Sequence, residues 1–404
     1  MLTSAIKGVF GFAVIVALVA YIARPRFPDS ASNHGLKTAL GLSMKLTNLI
    51  SHTGGMMGFS SINITRVLSN TLARSNEPND KIKIFTTTMD GVEVLVFQPV
   101  DKSDTLRPGI VYYHGGGWVL LNPEQYSMYC QEIALQTGSV VVSVDYRMAP
   151  EYLYPIPLED CLTATRYFMN NAEQYGVDKN KIGVKGDSAG GNLAMAVSLK
   201  LSKENNIPKL KFMSLDYPAL QLFDFHLPCY KSYEDGPGFL TKKIMVRYWL
   251  LYAFGDMTYF DTLYNNKHLT KEVLASEHAD HVNAKLLPEN MQGDVSYRTA
   301  YNNDASVPKE LYDKITDPLF APLMASDEDL NLLPKAYVFN VEFDVLRDDG
   351  FILVNRMKKL GIDVTHSYMS TEEHGFLNFL AFDKTITEEV GRFAAFHKEA
   401  VDGK

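Results

Sequence analysis

Residues 186–191, Gly-Asp-Ser-Ala-Gly-Gly, set a serine between glycines where the chain changes its pattern. Residues 181–185 alternate in polarity and carry β-branched side chains, as a short strand does. Residues 192–201 have the composition of a buried helix. Strand, Gly-x-Ser-x-Gly, helix is the context of a strained turn that lifts a nucleophilic hydroxyl clear of a sheet. Glycines two positions either side of Ser188 let the chain reverse without Cβ clashes, and the helix N-terminus behind it favours developing negative charge. A second run, His114-Gly115-Gly116-Gly117-Trp118, follows the apolar residues 110–113. Three successive glycines are costly in backbone entropy. The bare N–H groups of Gly115 and Gly116 suit a carbonyl oxygen becoming an oxyanion, and the N–H of Ala189 would complete the hole. A plain flexible turn is the competing reading.

A neutral serine needs a base, and the base needs an orienting carboxylate. The chain order that goes with this turn is Ser, then Asp or Glu, then His. Residues 336–341 read as an apolar strand, and Asp344 sits just past its C-terminal end, where ligands collect in open α/β sheets. Asp348 and Asp349 read instead as the first turn of the next helix, where carboxylates meet the dipole. His374, in Glu372-Glu373-His374-Gly375-Phe376 after the strand 362–369, is the expected base. His366 falls within that strand and reads as a sheet position. The expected chemistry is acyl transfer to water through an acyl-serine.

These segments resemble the hormone-sensitive-lipase-like branch of the α/β-hydrolases, in particular the arylacetamide deacetylase and neutral cholesterol ester hydrolase family. The matching stretches are His114-Gly-Gly-Gly-Trp118, Asp145-Tyr-Arg-Met-Ala-Pro-Glu151, Gly186-Asp-Ser-Ala-Gly-Gly-Asn192, Asp344-Val-Leu-Arg-Asp-Asp-Gly350 and His374-Gly-Phe376. The resemblance implies Ser188 as nucleophile, Asp344 as orienter, His374 as base and an oxyanion hole at 114–116. No cofactor or metal is expected, and the cysteines show no metal-ligand spacing. Some relatives carry cysteines at positions that correspond here to Val119 and to Val341 or a neighbour of it, and an apolar contact would take the place of that pair. Arg147 and Glu151 read as structural ties. Resemblance to plant gibberellin receptors permits a second reading, a non-catalytic ligand receptor, but such receptors lose the histidine base and His374 is present.

The elements expected to position these groups are strands at 81–85, 92–98, 109–113, 139–145, 181–186, 211–217, 336–341 and 362–369. From residue 109 they alternate with helices, which describes an α/β protein with a mostly parallel sheet covered on both faces. Residues 29–73, helical and amphipathic, and 221–324, long and aromatic-rich, fall outside that alternation and are expected to form a cap. The aromatics Tyr230, Tyr233, Phe239, Tyr248, Trp249, Tyr252 and Phe254 read as cap core, or in part as lining of an apolar acyl pocket.

The chain has 404 residues, 46% of them hydrophobic, and a net charge of −8, which argues against a nucleic-acid partner. Cys130, Cys161 and Cys229 read as buried small apolar residues. Residues 8–23 carry no charge and, with 2–6 and a snorkelling Lys7, approach the ~30 Å of a bilayer core. An uncleaved N-terminal anchor over 1–26 is expected rather than a cleaved signal peptide, since cleavage after Ala23 or Ala20 would leave Tyr21 or Leu18 at the −3 position. The hydrolase domain then spans 27–404. Asn63-Ile64-Thr65 is a glycosylation sequon, and the resemblance implies a lumenal catalytic domain on the endoplasmic reticulum membrane. An ester substrate and the membrane are the expected partners. The particular ester and the oligomeric state are not legible in the sequence.

Overall fold

The computed structural model of the chain describes residues 25, 27–72, 79–237, 239–294 and 306–403. The expected anchor lies outside the described residues but for Pro25, and residues 73–78 are outside them too. Among the described residues no helix is long and apolar enough to cross a membrane.

Eight strands form one sheet in the order β1-β2-β4-β3-β5-β6-β7-β8. They are β1 Ile82–Met89, β2 Val92–Pro99, β3 Arg107–Tyr113, β4 Val140–Val144, β5 Val177–Asp187, β6 Phe212–Asp216, β7 Lys335–Phe343 and β8 Val364–Glu373. The first two pairings from the β1 edge are antiparallel, and the remaining five are parallel. Each expected strand is present. β1 runs on through Thr86, Thr87 and Thr88 to a tight turn at Asp90 and Gly91, both at positive φ. That stretch is polar, so hydropathy hides it, yet threonine suits an edge strand. β8 also runs further than expected, pairing Glu373 with Phe343 across an irregularity in register. Glu372 and Glu373 therefore end the strand, and His374 follows it directly.

Helices cover both faces because β3 and β4 are apolar on every side (Ile110, Val111, Tyr112 and Tyr113; Val140, Val141, Val142 and Val144) and fully buried. One face packs on α3 Ser127–Thr137 and, at the C-terminus, α9 Lys384–Asp402. The other packs on α4 Ile156–Asn170, α5 Ala189–Ser202 and α8 Arg347–Lys359. The residues outside the alternation are helical in part: α1 His34–Met56 and α2 Ser61–Leu72, then α6 Lys242–Phe254 and α7 Lys309–Thr316 with short turns between them. Trp118 roots α6 on the sheet. Its indole stacks on Tyr252 at 4.5 Å and meets Trp249 at 4.5 Å, and both of these rings pack on Phe320.

The three cysteines are free and buried, as expected. The expected Val119–Val341 contact is not formed. Val119 packs with Ala149 and Leu251, whereas Val341 belongs to the apolar cluster under α9. The two valines stand in separate clusters.

His397 on α9 is buried, its Nε2 3.0 Å from Ser139 Oγ and its ring against Phe212 and Phe393. Burial pushes it down to about 4. The unfolded chain therefore takes up a proton that the fold refuses. This histidine's stabilising contribution is complete above about pH 6.5 and is lost as pH falls toward 4, by up to about 3 kcal/mol. Urea unfolding across that window should show His397→Gln losing less stability with acid than the unsubstituted chain.

Candidate active site

Ser188 sits between β5 and α5 with φ 54° and ψ −118°, a backbone conformation that a side chain adopts only when its surroundings impose it. Two contacts impose it here. The Ser188 N–H donates to Asp216 O at 2.9 Å, and its carbonyl accepts from Ala219 N–H at 3.2 Å. The flanking glycines are required by close approach. A Cβ on Gly186 would lie 2.2 Å from Gly190 O, and one on Gly190 would lie 1.9 Å from Tyr113 O. Asn192, one turn on, donates to Ala219 O and Phe320 O at 2.9 Å each, fixing α5 against the segment that bears Phe320.

The structure brings three of the expected residues into one hydrogen-bonded row. Ser188 Oγ stands 2.9 Å from His374 Nε2, and His374 Nδ1 donates to Asp344 Oδ2 at 2.8 Å. The other Asp344 oxygen accepts from Leu346 N–H at 2.8 Å, so the carboxylate is held by two donors. All three residues are buried. An acceptor-only carboxylate at Nδ1 fixes the tautomer that leaves Nε2 able to take the serine proton. His366 is elsewhere, 3.1 Å from Asn340 Oδ1 within the sheet. Asp348 and Asp349 stand in the first turn of α8. They accept from Cys229 N–H and Leu220 N–H, tying α8 to the chain after β6.

The glycine run departs from expectation at one position. Gly115 N–H donates to Asp187 Oδ1 at 2.8 Å and is therefore not free for a ligand. Among the described residues no acceptor faces the N–H groups of Gly116, Gly117 or Ala189. Gly116 and Gly117 both hold positive φ, and a Cβ would meet Leu120 O at 2.1 Å in the first and the Tyr248 ring at 2.3 Å in the second. His114 shapes the loop from within: Nδ1 donates to Gly115 O at 2.8 Å, and the ring stacks on Tyr146 at 4.3 Å. Burial pushes it down to about 4, so it is neutral.

Asp187 is the residue that sequence reasoning passed over. Its oxygens accept from Tyr112 Oη at 2.7 Å, Tyr126 Oη at 2.8 Å and Gly115 N–H. It thus pins the glycine loop to the turn bearing Ser188. Burial raises it to about 6, against the tyrosine hydrogen bonds that lower it. An acidic residue at the C-terminal end of a strand, directly before the serine turn, was the available signal, since a buried carboxylate demands donors. Asp187→Asn keeps the shape but sets an amide N–H₂ against a hydroxyl. Steady-state kinetics on a soluble ester should show kcat lowered about tenfold with KM little changed, the mark of a displaced donor loop.

Arg147 pairs with Asp160 of α4, and Glu151 pairs with Arg66 of α2. Both are ties between elements. Arg66 also donates to Val119 O and Ala149 O at 2.8 Å each, so α2 is fastened beside the glycine loop. Tyr230, Trp249 and Tyr252 are fully buried core, whereas Tyr233 and Phe239 line a cavity of about 450 Å³ against α1 that none of Ser188, Asp344 and His374 lines. Cys130, Cys161 and Cys229 form none of the hydrogen bonds of this row, each being buried with its thiol pushed up by desolvation.

A parallel-centred sheet with a serine on a strand–helix turn and a histidine after the last strand is the architecture of an α/β-hydrolase. The family model for the alpha/beta hydrolase fold matches residues 110–277 and 290–378. The chain is 36% identical to arylacetamide deacetylase of Bos taurus over 93% of this chain and 94% of that one. It is 32% identical to neutral cholesterol ester hydrolase 1 of Rattus norvegicus over 92% and 93%. Among solved structures, carboxyl esterase 2 of Tuber melanosporum superposes with a TM-score of 0.60 at 25% identity, covering 81% of this chain and 90% of that one. The chain belongs to the arylacetamide deacetylase and neutral cholesterol ester hydrolase family of α/β-hydrolases.

Proposed function

We propose that the chain cleaves carboxylic esters through an acyl-enzyme on Ser188. Family membership makes it a carboxylic ester hydrolase. The observation that carries the mechanism is the row Ser188, His374, Asp344, with hydrogen bonds of 2.9 and 2.8 Å. His374 takes the serine proton as Oγ attacks the carbonyl, and Asp344 stays ionised and holds the imidazole. The N–H groups of Gly116, Gly117 and Ala189 receive the oxyanion, each contributing about 3 kcal/mol in the transition state. His374 then protonates the leaving group and activates water for the second half.

The segments at 29–73 and 221–324 act as the cap that selects the ester. Residues 1–26 anchor the chain in the membrane of the endoplasmic reticulum with the catalytic domain in the lumen. Exposed Asn63 on α2 would then be open to glycosylation. Aryl and lipid esters are the substrate classes in view, the relatives being named as a deacetylase and a cholesterol ester hydrolase.

Rapid mixing with a nitrophenyl ester tests the mechanism. The expected result is a burst of nitrophenol matching the enzyme concentration, then slower steady turnover as the acyl group is hydrolysed. Binding without release of nitrophenol would favour the receptor reading instead.

A further inference from the structure

Helix α1 is inside out in its C-terminal half, whereas Leu36, Leu40 and Leu42 nearer its start are half-buried. Its buried residues are Lys37 and Ser51, while Leu46, Leu49 and Ile50 point outward. Leu46, Leu49, Ile50 and Met57 share one helical face, and Met56 and Phe59 extend it around the turn into α2. Leu49 is 61% exposed, Met56 80%, Met57 71% and Phe59 64%. A helix facing water turns its apolar stripe inward, so this stripe calls for an apolar neighbour. Eight of the thirteen exposed large apolar side chains among the described residues fall between Met44 and Val67, which makes this a patch and not scatter.

We propose that the α1–α2 hairpin lies in the interface of a lipid bilayer, its apolar tip from Leu46 to Phe59 among the acyl chains. Three observations select a bilayer over another occupant. In a chain with 47 acidic residues and a net charge of −8, residues 30–76 contain no Asp or Glu. They do contain Lys37, Lys45, Arg66 and Arg74, so nothing there repels an anionic surface. The uncharged run 8–23 ends eleven residues before α1, a length that reaches at most about 40 Å. The hairpin is also built as a firm unit. A Cβ on Gly54 would lie 2.2 Å from Ile64 Cδ1, and Ser51 Oγ and Thr65 Oγ1 are 2.8 Å apart. Asn63 and Val67 stand one turn apart on the same face of α2, so a glycan at Asn63 would keep that face in water. The docking tip is therefore confined to residues 46–59.

The cavity of about 450 Å³ opens beside this tip. Gly41, Met44 and Asn48 of α1 line one side, and Tyr233, Phe239 and Ile244 line the other. The Phe239 ring packs on Phe379 at 5.4 Å and lies 3.9 Å from where a Cβ on Gly375 would sit, next to His374. An acyl chain leaving the bilayer beside α1 thus meets, at Phe239, a ring that stands next to the loop of the histidine. This delivery role rests on the ester-hydrolase reading, whereas the docking does not.

The test uses the full chain reconstituted into phosphatidylcholine–phosphatidylserine vesicles, with tryptophan placed at Leu49→Trp or Met57→Trp. The native Trp118 and Trp249 are fully buried. Brominated phosphatidylcholine should quench both new tryptophans severalfold more than Val100→Trp, an exposed site after the end of β2. Equal quenching at all three sites would overturn the docking. So would a blue shift at 49 and 57 without quenching, which would assign the patch to a protein partner. The double variant Leu49→Asp with Met57→Asp should cleave a long-chain ester in vesicles about tenfold more slowly and a soluble acetyl ester at the unsubstituted rate. Unchanged vesicle activity, or an equal fall on both esters, would overturn the delivery role. Quenching as expected in a chain that cleaves neither ester would support the docking and overturn the hydrolase reading instead.

Discussion

Ser188→Ala lowers the hydrolysis of a short-chain aryl ester by about 10⁴-fold or more while leaving unfolding stability within about 1 kcal/mol. The size of the loss follows from what is removed. Alanine keeps the Cβ and therefore the strained φ of 54°, the hydrogen bond to Asp216 O and the packing of the flanking glycines. It takes away only Oγ, the atom 2.9 Å from His374 Nε2. What survives is substrate binding and the donors at Gly116, Gly117 and Ala189, which alone sustain a small residual rate. His374→Ala should cost nearly as much, and the double variant little more than either, because the two groups act as one unit. Paired measurements of kcat/KM and urea unfolding check both parts.

Lys37→Met destabilises the chain by about 3–5 kcal/mol, the cost of breaking a buried ion cluster from one side. Lys37 is 3% exposed, and its Nζ lies 3.0 Å from Glu372 and 3.1 Å from Glu373, both 1% exposed. It also donates to Thr371 O at 2.7 Å. Ser32 reinforces the attachment by donating to Glu372 at 2.6 Å, and Asn33 by donating to Asp383. One cation thus holds two carboxylates directly before His374. Burial raises Glu373 to about 7, with Lys37 opposing that rise. A carboxyl raised in the fold binds its proton more tightly there than in the unfolded chain. Its ionisation therefore withdraws stability as pH climbs through about 7, and the proton restores it below. With Lys37 gone the opposing charge is lost, so the deficit of the variant should be larger at about pH 8 than at about pH 5.5. Lys37→Arg, which keeps the charge, should recover most of the stability. A deficit independent of pH would show that packing and not charge is what Lys37 supplies.

The sheet and the hydrogen-bonded row were legible because they are written in local pattern. Apolar runs such as 110–113 and 336–341 mark buried strands, and Ser188, Asp344 and His374 each follow a strand at its C-terminal end. What stayed hidden depends on contacts between distant segments. Nothing local says that Asp187 captures the N–H of Gly115, because the bond joins β5 to the loop after β3. The pairing of Val119 with Val341 rests on analogy with cysteines elsewhere, and they are apart because Val119 packs on Ala149 and on Leu251 of α6 while Val341 lies in the cluster under α9. Periodicity marks 29–73 as amphipathic helix but cannot say which side faces out. The buried Lys37 reverses the usual answer, because Glu372 and Glu373 sit beneath it. Hydropathy is blind to that partnership.

The central claim is that Ser188 becomes acylated with His374 as its base. The most direct measurement is peptide mapping by mass spectrometry after treatment of the full chain with a fluorophosphonate, alongside His374→Ala. A single phosphonyl adduct on Ser188, formed at least about a hundredfold more slowly in the variant, is the predicted result. An unmodified Ser188, an adduct on another residue, or equal labelling with and without the histidine would contradict it.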